Sequence, residues 1–183
     1  MTLTSLRSLA WFLSKYQPKG RVADFGGTEK IGSEIVTQMF GLSDITILGE
    51  VDRPLDIVVS GLEKKVEAEY IPLDFDNGVD LRKPIRGKKF DGGICMDLLE
   101  HTSNPFLVAE NITNSLKKDA LLFVTVPWIW EIHYHPKDYW RFAPQGLEEL
   151  FPKMKKISLE IIRDQSIDEE VPRSRLVAVF KKI

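Results

Sequence analysis

The chain has 183 residues, of which 43% are hydrophobic and 10% aromatic, so it is long and apolar enough for one compact domain with a full core. Its 25 basic and 27 acidic residues nearly cancel, which argues against a broad electrostatic surface for nucleic acid or an anionic membrane. The single cysteine, Cys95, lies in an apolar run and is predicted to be a buried thiol. No signal-peptide pattern and no run of ~18 apolar residues is present, so we expect a cytoplasmic protein.

Hydrophobic periodicity predicts one helix before the sheet and then a strand, a glycine turn and a second helix. Apolar residues recur at helical spacing over residues 3–16. Residues 21–25 form a short apolar strand that runs into Gly26 and Gly27, and residues 31–40 return to the helical period. This is the first βα unit of an α/β fold.

The rest of the chain continues the alternation of strands and helices. Further strands are predicted at residues 45–48, 55–60, 68–73, 92–96, 121–126, 156–163 and 175–182. Helices are predicted at residues 105–116 and 145–151, and a Lys-Lys-Asp turn precedes the strand at 121–126. The last two strands are joined by a connection too short for a crossover helix, so they should form an antiparallel pair at one sheet edge.

Three carboxylates follow the ends of three early strands. Asp24 ends the first strand and Asp74 follows the third, whereas Glu50 and Asp52 are near-equal alternatives after the second. Because parallel strands end at the same sheet edge, these acids should line one crevice beside the glycine turn. Such a crevice suits a ligand with an amine, a ribose and an adenine, since Glu50 can accept from ribose hydroxyls, Asp74 from an exocyclic amine, and Phe75 can pack on a base.

A second polar group follows the strand at 92–96, where Asp97, Glu100 and His101 form an acidic turn. Thr-Ser-Asn and a proline come next, and these residue types are typical of a helix start. We expect the backbone of residues 96–98 to contact the ligand and the Thr-Ser-Asn segment to begin the helix.

These segments resemble the class I S-adenosylmethionine-dependent methyltransferases, in particular the small methyltransferase type 11-like family. The matching segments are V-A-D-F-G-G at 22–27, L-D-F at 73–75, F-D-G-G-I-C-M-D-L-L-E-H at 90–101 and L-K-K at 116–118, which leads into the strand ending at residue 127. The resemblance implies a Rossmann-like, seven-stranded, mostly parallel sheet with helices on both faces, an antiparallel C-terminal edge pair, and S-adenosylmethionine across the first four strands. The chain departs from the family at Thr28 and Lys30, which hold later glycine positions of the first motif.

Together, the geometry and the resemblance give a set of predicted cofactor contacts. They are Asp24, Gly26, Gly27, Glu50, Asp74, Phe75, Met96, Asp97 and Leu98.

The aromatic segment at residues 133–142 is open to three interpretations. In the favoured one it is a substrate loop, in which His133 or His135 takes a proton and Asp138 orients it, with His101 in reserve. In the second, the two histidines and Asp138 bind a divalent ion, although we expect no metal site. In the third, the aromatic residues anchor the loop by burial and Asp138 pairs with Arg141.

The sequence therefore predicts a single domain over residues 1–183 that transfers a methyl group to a hydroxyl or amine of a small acceptor, such as a sugar or another metabolite. Within it we expect a roofing helix at 1–18, a cofactor-binding core at 20–127, a substrate loop at 128–144 and edge strands at 156–183. No nucleic-acid or membrane partner is expected.

Two other functions and one partner remain open. A noncatalytic binding or scaffold protein of the same fold is favoured by the altered glycine motif. A nicotinamide-dependent oxidoreductase is disfavoured because the first turn lacks the G-x-G-x-x-G spacing. Aromatic residues at Trp128, Trp130 or Trp140 are compatible with a homodimer contact as well as with a pocket.

Overall fold

The computed structural model describes residues 3–26, 45–49, 69–72, 88–134, 137–163 and 173–183. The predicted helix at 31–40 and the predicted strand at 55–60 lie outside these described residues.

The described elements follow the predicted order. The helices are α1 (Leu3–Tyr16), α2 (Pro105–Ser115) and α3 (Pro144–Glu149), with a 3₁₀ turn at Leu99–His101. The strands are β1 (Val22–Phe25), β2 (Ile45–Gly49), β3 (Glu69–Pro72), β4 (Phe90–Met96), β5 (Leu116–Ile129), β6 (Met154–Arg163) and β7 (Ser174–Lys182). Asn104 caps α2 by accepting a hydrogen bond from the Leu107 amide at 3.1 Å, as its residue type predicts.

The strands form one mixed sheet in the order β3-β2-β1-β4-β5-β7-β6. Strands β1 to β5 pair in parallel, whereas β7 pairs antiparallel with both β5 and β6. The predicted α/β class and the antiparallel edge pair are confirmed. From β1 the chain adds β2 and β3 on one side, and from β4 it adds the later strands on the other side. The strand order therefore reverses between β1 and β4, and open α/β sheets bind ligands at such a point.

The predicted Lys-Lys-Asp turn is a bulge inside β5 rather than a separate connection. Its register with β4 leaves one residue, Asp91, opposite the four residues 117–120. Asp119 has the left-handed φ of 66° that lets the chain double back. Lys117 pairs with Asp91 at 2.6 Å and closes the bulge. The strand therefore begins at Leu116, earlier than the predicted residue 121.

Helices cover both faces of the sheet. On one face, α1 buries Leu9, Phe12 and Leu13, and the Phe12 ring stacks on Phe123 of β5 at 4.9 Å between centroids. On the other face, α2 and α3 share a larger apolar cluster with β1, β4, β5 and β7. These described contacts of α1 lie on the sheet face, so its role as a roof over the ligand stays a prediction. Among the described helices, none is long and apolar enough to cross a membrane.

Candidate functional site

The crevice at the point where the strand order reverses brings two of the predicted contact segments together. Phe25 of β1 lies in register with Cys95 of β4, so the residues that follow each strand emerge side by side. Gly26 has a φ of +78°, and a Cβ on it would lie 2.8 Å from Leu98 Cδ1. The glycine turn and the segment after β4 are therefore in direct contact, and only glycine fits at position 26.

We expect Gly26→Ala to lower the free energy of unfolding by about 1–3 kcal/mol, because alanine is strained at this φ and its Cβ meets Leu98. Gly146→Ala is a matched control, since nothing lies within 4 Å of its added Cβ and it is helical. Urea unfolding of both variants measures the difference. Equal stabilities for the two variants would contradict the close approach of Gly26 to Leu98.

Asp24 is the second-to-last residue of β1, next to the crevice, and it is almost fully buried. Burial raises the pKa of its carboxyl from 3.8 to about 7. A buried carboxyl that is only partly ionised at neutral pH gains most from a cationic partner, because the partner stabilises its charged form. Asp24 therefore has the properties expected of a group that binds an amine.

Asp24 also makes stability depend on pH in a defined direction. The folded chain holds its proton more tightly than the unfolded chain, so its stabilising contribution is complete below about pH 4 and is lost as pH rises to about 7. We expect Asp24→Asn to flatten this fall, which amounts to at most about 4 kcal/mol. Urea unfolding at pH 4.5 and pH 8 measures the change in the free energy of unfolding between the two pH values. If this change is the same in Asp24→Asn as in the parent, the prediction is wrong. Asp119→Asn, at an exposed carboxylate, is the control.

Asp97 follows β4 with a left-handed φ of 50° and joins three strands. Its carboxylate accepts a hydrogen bond from Thr125 Oγ1 of β5 at 2.9 Å. Arg175 Nη1 of β7 donates to both carboxylate oxygens, at 2.8 and 3.0 Å. These contacts of the side chain are structural, and a cofactor contact through the backbone of residues 96–98 stays a prediction.

Glu100 lies in the 3₁₀ turn and is the most unusual polar residue near the crevice. Its side chain is fully buried, and neither carboxylate oxygen has a hydrogen-bond partner among the described residues. Burial raises the pKa of this carboxyl well above its ordinary value, and the negative charge of Asp97 adds to the rise. The Glu100 carbonyl accepts from the Tyr139 amide at 2.7 Å, so the turn is tied to the aromatic loop while the carboxyl makes no hydrogen bond within the described residues.

His101 ties the same turn to the loop. The two groups in contact are its Nδ1 and the Lys137 carbonyl, at 2.5 Å, and Nδ1 must be the donor because a carbonyl only accepts. Its Nε2 then faces Glu100 Oε1 at 3.7 Å. A further tie is the hydrogen bond from Trp140 Nε1 to the Thr102 carbonyl at 2.9 Å.

His133 is fixed by Asp138, as the sequence predicts for an orienting carboxylate. Asp138 Oδ2 accepts from the His133 amide at 2.8 Å and lies 3.1 Å from ring Nδ1. Arg141 donates to both Asp138 oxygens, at 2.5 and 2.7 Å. Burial alone would raise the pKa of Asp138, but the hydrogen bonds from Arg141 and His133 outweigh it and lower the pKa to about 2. Asp138 is therefore ionised, and it lies beside a ring nitrogen that is also 3.4 Å from the Glu131 carbonyl.

The His101 and His133 rings meet edge to face with centroids 5.0 Å apart. With Glu100 they form a cluster, hereafter the Glu-His-His cluster, whose three donor atoms lie within 4.8 Å of one another. Sequence reasoning placed His133 and Asp138 together and kept His101 in reserve, but it missed the burial of Glu100. The Leu-Leu-Glu-His spacing was the available signal, yet burial of the glutamate depends on the loop that covers it.

The third interpretation of the loop is correct in one respect and wrong in another. The Asp138–Arg141 pair is present. Tyr139 and Trp140, however, are 43% and 40% exposed, and only Phe142 of the aromatic residues in this loop is buried, at 8%. Hydrogen bonds to the 3₁₀ turn, rather than aromatic burial alone, hold this loop in place.

Several predicted site residues have no described position. They are Gly27, Glu50, Asp74, Phe75 and His135, and their roles stay predictions. Of the tryptophans considered for a dimer contact, Trp130 is half-buried against the guanidinium groups of Arg173 and Arg175, whose Cζ atoms lie 5.2 and 5.0 Å from its ring centroid.

No protein-family model and no curated protein matches the chain in sequence. Solved structures do match it. The Burkholderia thailandensis 1,6-didemethyltoxoflavin-N1-methyltransferase, solved with 1,6-didemethyltoxoflavin and S-adenosylhomocysteine, is similar with a TM-score of 0.74 and 13% identity over 98% of this chain and 78% of that one. A SAM-dependent methyltransferase from Anabaena variabilis gives a TM-score of 0.71 and 14% identity over 97% and 84% of the two chains.

The [4+2]-cyclase SpnF is also similar, with a TM-score of 0.70 and 14% identity over 96% of this chain and 80% of that one. At these identities the likeness shows the fold alone. The chain has the α/β, Rossmann-like fold of the class I methyltransferases, as the sequence resemblance implies, and one similar structure carries a different reaction on that fold.

Proposed function

We propose that the chain is an S-adenosylmethionine-dependent methyltransferase that acts on a hydroxyl or amine of a small acceptor. The observation that carries this proposal is the crevice between β1 and β4, where Gly26 meets Leu98 and Asp24 lies beside it in the sheet. The fold supports the proposal, since a similar structure holds S-adenosylhomocysteine, the demethylated product of that cofactor.

The chain's own residues divide the work of cofactor binding. Asp24 is proposed to pair with the cofactor's amine, and Gly26 lets the backbone come close to it. The backbone of Met96 to Leu98 is proposed to line the adenosine side. Glu50 is proposed to accept from the ribose, and Asp74 with Phe75 to bind the adenine.

The bound cofactor supplies an electrophilic methyl group on its sulfonium, so the protein's task is to hold the acceptor in line and exclude water. The loop over residues 128–144 is proposed to cover the acceptor. His133 Nε2 is proposed to take the acceptor's proton, because Nδ1 lies 3.1 Å from Asp138 Oδ2 and 3.4 Å from the Glu131 carbonyl. His135 is the alternative proton acceptor on the same loop.

Calorimetric titration with S-adenosylmethionine and S-adenosylhomocysteine tests the proposal. We expect micromolar binding by the folded protein that weakens in Asp74→Ala and Glu50→Ala, while Asp119→Asn, at an exposed residue of the β5 bulge, binds as the parent does. Turnover is then sought in a screen of small hydroxyl and amine acceptors. Failure of the folded protein to bind either compound would favour the noncatalytic scaffold function.

A further inference from the structure

The Glu-His-His cluster presents three potential metal ligands at the carboxyl end of β4. A buried carboxylate without a hydrogen bond is costly, and it persists where something else binds it. Glu100 meets this description, since it is fully buried and both of its oxygens are unpartnered within the described part of the chain. Glu100 Oε1 faces His101 Nε2 at 3.7 Å, beyond hydrogen-bond distance, so this oxygen points into the cluster.

Both histidines are oriented as metal-binding histidines are. A ligating histidine usually donates its second ring N–H to a carbonyl or a carboxylate, which fixes the tautomer and leaves the other nitrogen for the metal. His101 Nδ1 contacts the Lys137 carbonyl, and His133 Nδ1 contacts Asp138, which Arg141 holds in turn. Each ring therefore keeps Nε2, which has no hydrogen bond within the described residues, for a ligand.

The spacing of the donor atoms is close to that of an occupied site. Ligands about 2.1 Å from a tetrahedral ion lie roughly 3.4 Å from one another. His101 Nε2 lies 3.7 Å from Glu100 Oε1, and one ring nitrogen of each histidine falls with a Glu100 oxygen within 4.8 Å. Small side-chain rotations would bring the three ligand atoms to the separations of an occupied site.

We propose that Glu100, His101 and His133 bind a divalent transition-metal cation of the Zn²⁺ type, through one carboxylate oxygen and the two Nε2 atoms. Two imidazoles and one carboxylate favour such a cation over Mg²⁺ or Ca²⁺, which prefer oxygen ligands. Three protein ligands leave a fourth position open, as in catalytic zinc sites. This proposal replaces the expectation that no metal site is present, and Asp138 supports a ligand instead of acting as one.

The role of the cation rests on the proposed function, whereas its binding does not. In the open position the cation would bind an acceptor hydroxyl and lower the pKa of that hydroxyl, so that its proton passes to water. The acceptor oxygen then forms a bond to the methyl carbon as the carbon–sulfur bond breaks, and sulfur leaves with the electron pair. In the metal-bound state His133 is a ligand, and the cation activates the acceptor hydroxyl. In the metal-free state His133 Nε2 does this as the proton acceptor.

The test is calorimetric titration of chelator-treated, full-length protein with Zn²⁺, together with the visible absorption of the Co²⁺-loaded protein. We expect one Zn²⁺ per chain, tetrahedral Co²⁺ bands, and at least a tenfold loss of affinity in Glu100→Gln and His133→Ala. Glu110→Gln, an exposed carboxylate on α2, is the control and should bind as the parent does. Absence of stoichiometric Zn²⁺ binding, or unchanged affinity in Glu100→Gln, would overturn the proposal.

A second variant separates lost binding from lost folding. Glu100→Met removes an unpaired buried carboxylate, so it should unfold at the same or a higher urea concentration than the metal-free parent while losing Zn²⁺ binding. Binding of Zn²⁺ by Glu100→Met with parental affinity would refute the site. S-adenosylmethionine titrations of the metal-free protein are run in parallel. Zn²⁺ binding without cofactor binding would leave the site standing and the methyltransferase function refuted, and the reverse result would refute the site alone.

Discussion

Methyl transfer should slow by ~10²- to 10⁴-fold when His133 is replaced by alanine, at saturating cofactor and with an acceptor found by screening. The two proposals each give a reason for so large an effect, and both depend on the same atom. His133 Nδ1 lies against Asp138 and the Glu131 carbonyl, so Nε2 is the nitrogen proposed either to take the acceptor's proton or to bind the cation. The alanine variant loses both functions.

Single-turnover rates of methyl transfer provide the measurement, because they separate the chemical step from product release. Glu131→Gln is the matched control on the same loop, since Glu131 is exposed and its carboxylate pairs with Arg173, away from the cluster. Asp138→Asn keeps the ring but changes its partner and should give an intermediate rate. If His133→Ala turns over as fast as the control, the assignment of His133 to the reaction is wrong.

Repeating the rate measurements with and without Zn²⁺ distinguishes the two states of the cluster. If the cation activates the acceptor, a chelator should slow the parent and have little effect on His133→Ala. If His133 acts as the base, the chelator should leave the parent unchanged. The loss on substitution is expected in both cases, so this comparison tests only how His133 acts.

The sequence was sufficient for the order of the described elements and for the edge pair of the sheet, whereas the predicted helix at 31–40 and strand at 55–60 lie outside the described residues. Apolar runs and their periods are local, and they located β4, α2 and β7 to within two residues. The β5 boundary was predicted less well, because Lys-Lys-Asp reads as a turn. The structure uses that turn as a bulge within a longer strand, and only the pairing with β4 decides between the two.

The site was less predictable because its partners come from distant segments. Strand ends indicated where Asp24 and Asp97 would lie, since parallel strands share an edge. Nothing local predicts that Arg175, in an apolar run 78 residues further on, pairs with Asp97, because this follows from β7 lying beside β5. The burial of Glu100 likewise depends on loop residues 137–142, which hydrogen-bond to the segment of the 3₁₀ turn.

The pair of Asp97 and Arg175 should be the strongest polar contribution to stability in the described core. Removing one member of a buried pair leaves an uncompensated charge, which typically costs ~3–5 kcal/mol. Arg175 is nearly inaccessible, with a side chain 3% exposed, while the Asp97 side chain is 22% exposed. We therefore expect Asp97→Ala to lower the free energy of unfolding by about 3–5 kcal/mol, as measured by urea denaturation.

The double variant Asp97→Ala/Arg175→Met should recover most of that loss, since it removes both charges and fills the space of the arginine stem with an apolar chain. Thr125→Val, which deletes one hydrogen bond to Asp97 but keeps the ion pair, should cost only about 1 kcal/mol. Equal losses in the single and double variants would show that the ion pair is not the source of the stability. Recovery in the double variant also permits a cofactor titration in a folded protein without the Asp97 carboxylate, and full affinity there would place any cofactor contact of residue 97 on its backbone.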